Sequence, residues 1–196
     1  MEAGGDLMNK DIDKEIKDLD MDHAEAEEVL EDVAYYRTLV ANIIMIGKPY
    51  TDDWVLVDTS VERYAKRIYA ACEKRFSKVS PSAIILTHGH FDHVGSALEL
   101  AKFWDIPIYI HQDEIDYVTD KKTYPPADPT VGGGALSLLS PIFPKKPVNL
   151  KGYVEPLPPN GYIPFLNDWQ YIHTPGHSPG HIVLYREHDK ILITGD

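Results

Sequence analysis

Four potential metal ligands within six residues constrain this chain more than any other feature. In Thr87-His88-Gly89-His90-Phe91-Asp92-His93, three histidines and a carboxylate follow directly on the apolar run Ala83-Ile84-Ile85-Leu86. That run follows Pro81 and carries β-branched residues, so it is predicted to be a buried strand. The ligands then lie on the turn leaving the strand, where a rigid element can aim several donors at one point. Imidazoles with carboxylates are the donors of zinc, iron and manganese sites. Histidines also serve as ordinary polar turn residues, but four candidates at this spacing point to a metal site.

The chain has 196 residues, enough for one domain with a substantial core. No apolar run reaches the roughly 20 residues that a membrane span needs, and no basic region followed by an apolar one opens the chain. Cys72 is the single cysteine, so no internal disulfide can form and a reducing cytoplasm is expected. Its place in a helical pattern makes it a small buried apolar residue. The net charge of −12 is uneven. Residues 1–32 carry 13 acidic and 3 basic side chains, and residues 33–196 carry 18 and 16. We therefore expect an acidic, solvated N-terminal arm over 1–32 and a nearly neutral domain over 33–196. An acidic arm repels phosphate backbones, which argues against nucleic acid as a partner.

Along the domain, Val33 to Ile46 is predicted as a first strand or strand pair and Trp54 to Asp58 as the next strand. Ser60 is expected to cap a helix in which Val61, Tyr64, Ala65, Ile68, Cys72 and Phe76 recur at helical spacing. His93 to Trp104 is expected as one helix, followed by a strand over Ile106 to Ile110. Pro107 cannot donate to a ladder and must lie near the start of that strand or on an edge. Residues 121–161 are broken by prolines and by Gly132-Gly133-Gly134, with one short helix expected at Ala135 to Leu139. A connection this long inside a domain usually serves a site, so it is the expected pocket wall, with Tyr124, Tyr153 and Tyr162 as ligand contacts or packing residues. Strands are expected again at Trp169 to Ile172, Ile182 to Tyr185 and Lys190 to Thr194. The alternation suggests a layered α/β fold.

Two further groups follow strands. His173-Thr174-Pro175-Gly176-His177-Ser178-Pro179-Gly180-His181 leaves one, its Pro-Gly pairs fixing a tight loop, and Gly195-Asp196 leaves another. The order of these groups after the first cluster resembles the metallo-β-lactamase superfamily of metal-dependent hydrolases. The likeness rests on His88, His90, Asp92 and His93, on Thr174 to His177, on Gly195-Asp196 and on the early strand end Val57-Asp58-Thr59. It implies an αβ/βα sandwich with its site at one edge. It also implies that His88, His90 and His177 hold a first metal, that Asp92 and His93 hold a second, and that Asp196 bridges them. Asp92 could in addition orient the attacking hydroxide or take a proton. Asp58 is expected to hold the first cluster by hydrogen bonds. His173 and His181 are expected to pack or support rather than ligate, His111 is a weaker candidate near the site, and His23 and His188 are expected in solvent.

The family's second metal has one more histidine beyond the bridging aspartate, and none follows Asp196 here. A sandwich incomplete at its C-terminal side is therefore expected, with a weakened second site and exposed strands that favour association of copies. The function implied is hydrolysis of a small-molecule ester, thioester, lactone or amide by a metal-bound hydroxide, with one or two zinc ions or with iron. The alternatives are a mononuclear-iron persulfide oxygenase of the same superfamily, or a metal-binding fragment that no longer turns over. Neither nucleic acid nor membrane is expected as a partner.

Overall fold

A computed structural model describes residues 25–124 and 149–196. Fourteen elements position the site: β1 (Glu27–Leu30), β2 (Val33–Arg37), β3 (Asn42–Ile46), β4 (Val55–Val57), α1 (Ala65–Phe76), β5 (Ala83–Ile85), α2 (Phe91–Val94), α3 (Ala97–Trp104), β6 (Ile108–Ile110), α4 (Ile115–Val118), β7 (Val154–Pro156), β8 (Trp169–His173), β9 (Ile182–Arg186) and β10 (Ile191–Ile193). A short 3-10 helix, Gln112–Glu114, precedes α4. Strands β1 to β7 lie in sequence order in one sheet, antiparallel from β1 to β4 and parallel from β4 to β7. Strands β8, β9 and β10 form a second, antiparallel sheet.

The central strands are apolar throughout because both faces are covered, the pattern of a parallel sheet buried on two sides. Side chains alternate between faces. Leu56, Ile84, Ile108 and Ile110 pack with Ile68, Phe76, Leu100 and Ala101 of the helices. Val55, Val57, Ala83 and Ile85 pack instead against Trp169, Tyr171, Ile182 and Leu184 of the second sheet. Helices, seven-stranded sheet and second sheet thus form successive layers of the expected αβ/βα sandwich. The parallel strands β4 and β5 end at the same level, and the histidine cluster leaves β5 there.

Several sequence expectations are corrected. The acidic arm expected over 1–32 carries a strand: β1 extends the sheet into it, with its side chains still largely exposed. Glu28 takes a bidentate ion pair from buried Arg75 at 2.8 and 2.9 Å, and Asp32 pairs with buried Arg186. Those partners lie 47 and 154 residues away in sequence, so local charge density could not reveal them. Ser60 does not cap a helix. It sits at φ +54 with its hydroxyl 2.8 Å from Thr38 Oγ1, and α1 begins at Ala65. The first-turn donor is met from another element, as Tyr64 N–H donates to Ser96 Oγ at 3.1 Å. The helix expected over His93 to Trp104 is split for the same reason. Gly95 N–H donates to Ser60 O at 2.8 Å and Ser96 Oγ donates to Val61 O at 2.7 Å, so this stretch is held by the 60–64 segment. Strand β7 emerges from the proline-rich connection: three residues ending in proline at a sheet edge carry no apolar period. Pro107 does stand just before β6, where its carbonyl accepts from Ile84 N–H at 3.0 Å. The helix expected at Ala135 to Leu139 and the exposure expected of His23 fall outside the described residues.

Candidate metal centre

The site is built from strand ends. Beyond β4 the chain turns sharply: Asp58 adopts φ +60 and its carboxylate is buried. A positive φ at a non-glycine residue is an unfavourable conformation that surrounding contacts must hold. Here Asp58 Oδ1 accepts Thr87 N–H at 2.8 Å, while Oδ2 meets Thr87 Oγ1 and His93 Nδ1, each at 2.8 Å. Thr59 adds two bonds to the carbonyl of His93, from its N–H and its hydroxyl, both at 2.8 Å. The turn that bears the ligands is thus bolted to the neighbouring strand end, in the role expected of Asp58.

The imidazoles of His88, His90 and His177 converge. His90 Nδ1 lies 2.8 Å, and His88 Nε2 3.2 Å, from His177 Nε2, across 87 and 89 residues of sequence. A second convergence joins His88, His93 and Asp196. Asp196 reaches both groups, with Oδ1 at 3.0 Å from His93 Nε2 and Oδ2 at 3.5 Å from His177 Nε2. His93 Nε2 is close to that carboxylate but not aligned with it, and it is the buried nitrogen left without a hydrogen bond among the described residues. Its other nitrogen is already held by Asp58. Imidazole nitrogens crowded together, one of them buried beside a carboxylate without an aligned hydrogen bond, are what a cation would satisfy, and the nitrogen-rich donor set suits a transition metal. Asp92 belongs to neither convergence. It lies in the first turn of α2, half-buried, with burial as the main cause of a raised carboxyl pKa.

Charge follows the geometry. Burial, then the neighbouring His93, His90 and His177, push His88 far below the ordinary imidazole range. Burial and then His177 bring His90 down to about 4. Burial also works against a charge on His93, but the carboxylates of Asp58 and Asp196 outweigh it and lift this imidazole to about 10. Asp196 in turn is held below the usual carboxylate range, chiefly by His93.

The remaining histidines divide as follows. His181 is buried, with Nδ1 at 2.8 Å from Thr174 Oγ1 and Nε2 accepting from Asp196 N–H at 3.3 Å, so it supports the site. His111 and His173 stack face to face, 4.0 Å apart and 18° from parallel, with Asp113 alongside. Parallel rings send their lone pairs in parallel planes, whereas ligands of one ion must converge. His173 Nε2 also lies 2.8 Å from Pro179 O, consistent with bracing the loop. Of the tyrosines, Tyr124 packs edge-on against His90 at 4.6 Å, Tyr153 packs on the helical core and Tyr162 is exposed.

Sequence reasoning missed Glu114. Its carboxylate is fully buried and accepts from Gly89 N–H at 2.9 Å, Ser178 Oγ at 2.8 Å and Gly180 N–H at 2.6 Å, and from the Tyr124 hydroxyl. A glutamate beside Asp113 and Asp116 looks like a solvated charge, and only the loops folded over it make it otherwise.

Comparison with known proteins agrees with this geometry. A model of the metallo-beta-lactamase superfamily matches residues 36–196. The probable metallo-hydrolase YflN of Bacillus subtilis is 43% identical over 159 residues, which are 80% of this chain and 60% of that protein. The probable metallo-hydrolase YybB of the same organism is 36% identical over 145 residues, 74% of this chain and 57% of the relative. This chain therefore spans about 60% of the length of YflN and YybB. Among solved structures, the MIM-2 metallo-beta-lactamase superposes with a TM-score of 0.64 at 21% identity, over 92% of this chain and 65% of that one. With converging histidines on strand ends of a layered sandwich and a family match over most of its length, the chain belongs to the metallo-beta-lactamase superfamily.

Proposed function

We propose that this chain is a zinc-dependent hydrolase acting on a small-molecule ester, thioester, lactone or amide. The observation that carries the reading is the convergence of His88, His90 and His177 beside a second group, His88, His93 and Asp196, that leaves one buried imidazole nitrogen unsatisfied. His88, His90 and His177 would hold the first metal. His93, with Asp92, would serve the second, and Asp196, which faces both groups, would join them. Bound divalent metal supplies Lewis acidity and lowers the pKa of water to about 7.

The protein's own part is positional. Asp58 fixes the orientation of His93 through Nδ1 and thereby aims Nε2 into the site, the usual arrangement for a metal-binding imidazole. Asp92, half-buried with a carboxyl pKa raised mainly by burial, would orient the attacking water or accept its proton. The single buried cysteine suits a reducing compartment, so we place the protein in the cytoplasm. A small molecule is the proposed partner, with neither nucleic acid nor membrane. No helix among the described residues is long and apolar enough to cross a membrane. Leu192 of the edge strand β10 is half exposed, which suits association of copies.

Metal analysis of the purified chain, with a panel of ester, thioester, lactone and amide substrates, tests the reading. Zinc at one or two ions per chain with turnover is expected. Asp92→Ala should lower turnover by about 10²–10⁴-fold while zinc at the three-histidine group is retained. Iron together with oxygen consumption on a persulfide would replace this reading with the oxygenase. Full metallation with no turnover on any substrate would reduce it to a metal-binding fragment.

A further inference from the structure

Two loops carry the ligands of the three-histidine group, and one carboxylate touches both. Glu114 Oε2 accepts from Gly89, the residue between His88 and His90, while Oε1 accepts from Ser178 and Gly180, which follow His177. Each loop closes on Glu114 at a glycine. A Cβ at Gly89 would stand 3.0 Å from Oε2 and 2.3 Å from the Tyr124 hydroxyl oxygen, and one at Gly180 would stand 2.7 Å from Glu114 Cγ. The missing side chains make room for the carboxylate between the loops.

Glu114 also lacks a cationic partner where one would be expected. Its partners among the described residues are two peptide N–H groups and two hydroxyls, all neutral. A fully buried carboxylate is costly unless paired with positive charge. Its negative charge is felt at His90, one of the converging imidazoles. A divalent cation among those imidazoles would be the compensating charge.

We propose that Glu114 is the positioning residue of the metal centre: it locks the His88–His90 turn to the His177 loop, and the metal affinity of the three-histidine group depends on that lock. This inference rests on the metal-centre reading above. The test is zinc affinity by chelator competition on the unchanged chain and on Glu114→Gln. The amide keeps the size of the side chain but removes the charge and turns one acceptor into a donor. Affinity should fall about 10–100-fold, the range typical for partners that orient ligands. The absorption bands of the cobalt-loaded protein should change as well, because a shifted His177 alters coordination.

A carboxylate with a purely structural role would lower the melting temperature of Glu114→Gln and leave both zinc affinity and the cobalt spectrum of the folded protein unchanged; that result overturns the proposal. Should Glu114→Gln not fold, Ser178→Ala decides, because it removes one tether of the His177 loop and leaves the carboxylate. Weakened zinc binding in Ser178→Ala supports the lock, and unchanged binding overturns it. Absence of metal binding by the unchanged chain would overturn the metal-centre reading itself, and this inference with it.

Discussion

The turn after β5 and the loop between β8 and β9 both aim histidines at one point, yet the first is largely buried and the second stands mostly in solvent. Thr87, His88 and His93 are buried, and Asp58 and Thr59 hold Thr87 and His93 through five hydrogen bonds that reach across to β4. From His173 to His177 every residue is exposed, and the loop is anchored behind its tip at Ser178, Gly180 and His181. One ligand set is therefore fixed by the packing of the sandwich, whereas His177 is placed by a few tethers. A rigid half and a tethered half let a site admit ligands while keeping donor geometry at its base.

The strongest way to break this comparison is at the shared ligand. His88 belongs to both convergences, so His88→Ala should abolish binding of the first metal and weaken that of the second, whereas His177→Ala should spare His93 and Asp196. The loss in zinc affinity for His88→Ala should exceed the roughly 10–100-fold typical of supporting residues, as read by chelator competition. Equal residual stoichiometry in the two variants would contradict the division.

Next come the supports. Asp58→Asn removes the charge opposite His93 and turns one acceptor of a buried network into a donor, so a loss of about 2–4 kcal/mol in urea unfolding is expected. Thr174→Val removes only the tether to His181 near the exposed tip and should cost about 1 kcal/mol or less. Similar costs at the two positions would mean that the loops are equally rigid.

Acid should separate the halves through His90. Its folded pKa of about 4 lies below the ordinary 6.5, so the unfolded chain takes up a proton that the folded, metal-free chain refuses. That stability is present above pH 6.5 and is lost as the pH falls toward 4, by about 2 kcal/mol. His93 has the opposite sign: its contribution is full below 6.5 and disappears only as the pH rises through about 10. It therefore does not offset the loss in the acid window. Thermal melts of metal-free protein at pH 7 and pH 4.5 check this, and His90→Ala should reduce the difference while leaving the part that His88, lowered in the same direction, contributes.

The smallest effect is expected at His173. Its ring stacks on His111 rather than facing the converging ligands, so His173→Ala should change stability by about 0.5 kcal/mol or less and leave zinc stoichiometry unaltered. Loss of a metal ion from this variant would show that the His111–Asp113–His173 group binds one after all.

The comparison also explains what could be read without coordinates. The parallel strands β4 and β5 declare themselves as short apolar runs, because burial on both faces leaves no polar alternation to confuse. The ligands at 88, 90, 92 and 93 sit together in sequence, so one turn reveals them. His177 and Asp196 became legible through their positions after strands and through resemblance. What stayed hidden depends on pairs far apart in the chain: Arg75 with Glu28, Ser96 with Tyr64 and Val61, and Glu114 with Gly89, Ser178 and Gly180. Local pattern records a residue's own periodicity and says nothing of which distant donor will meet it.

The sequence by itself therefore determined the donor chemistry of this protein and the strand ends that present it, since both are set by residue type and short-range spacing. Only the tertiary structure decided which histidines share a point, that Asp92 joins neither convergence while Asp196 faces both, and that Glu114 lies beneath the two loops. Convergence is a property of strand order and layer packing, and it appears when residues 87 or 89 positions apart are brought within 3.2 Å.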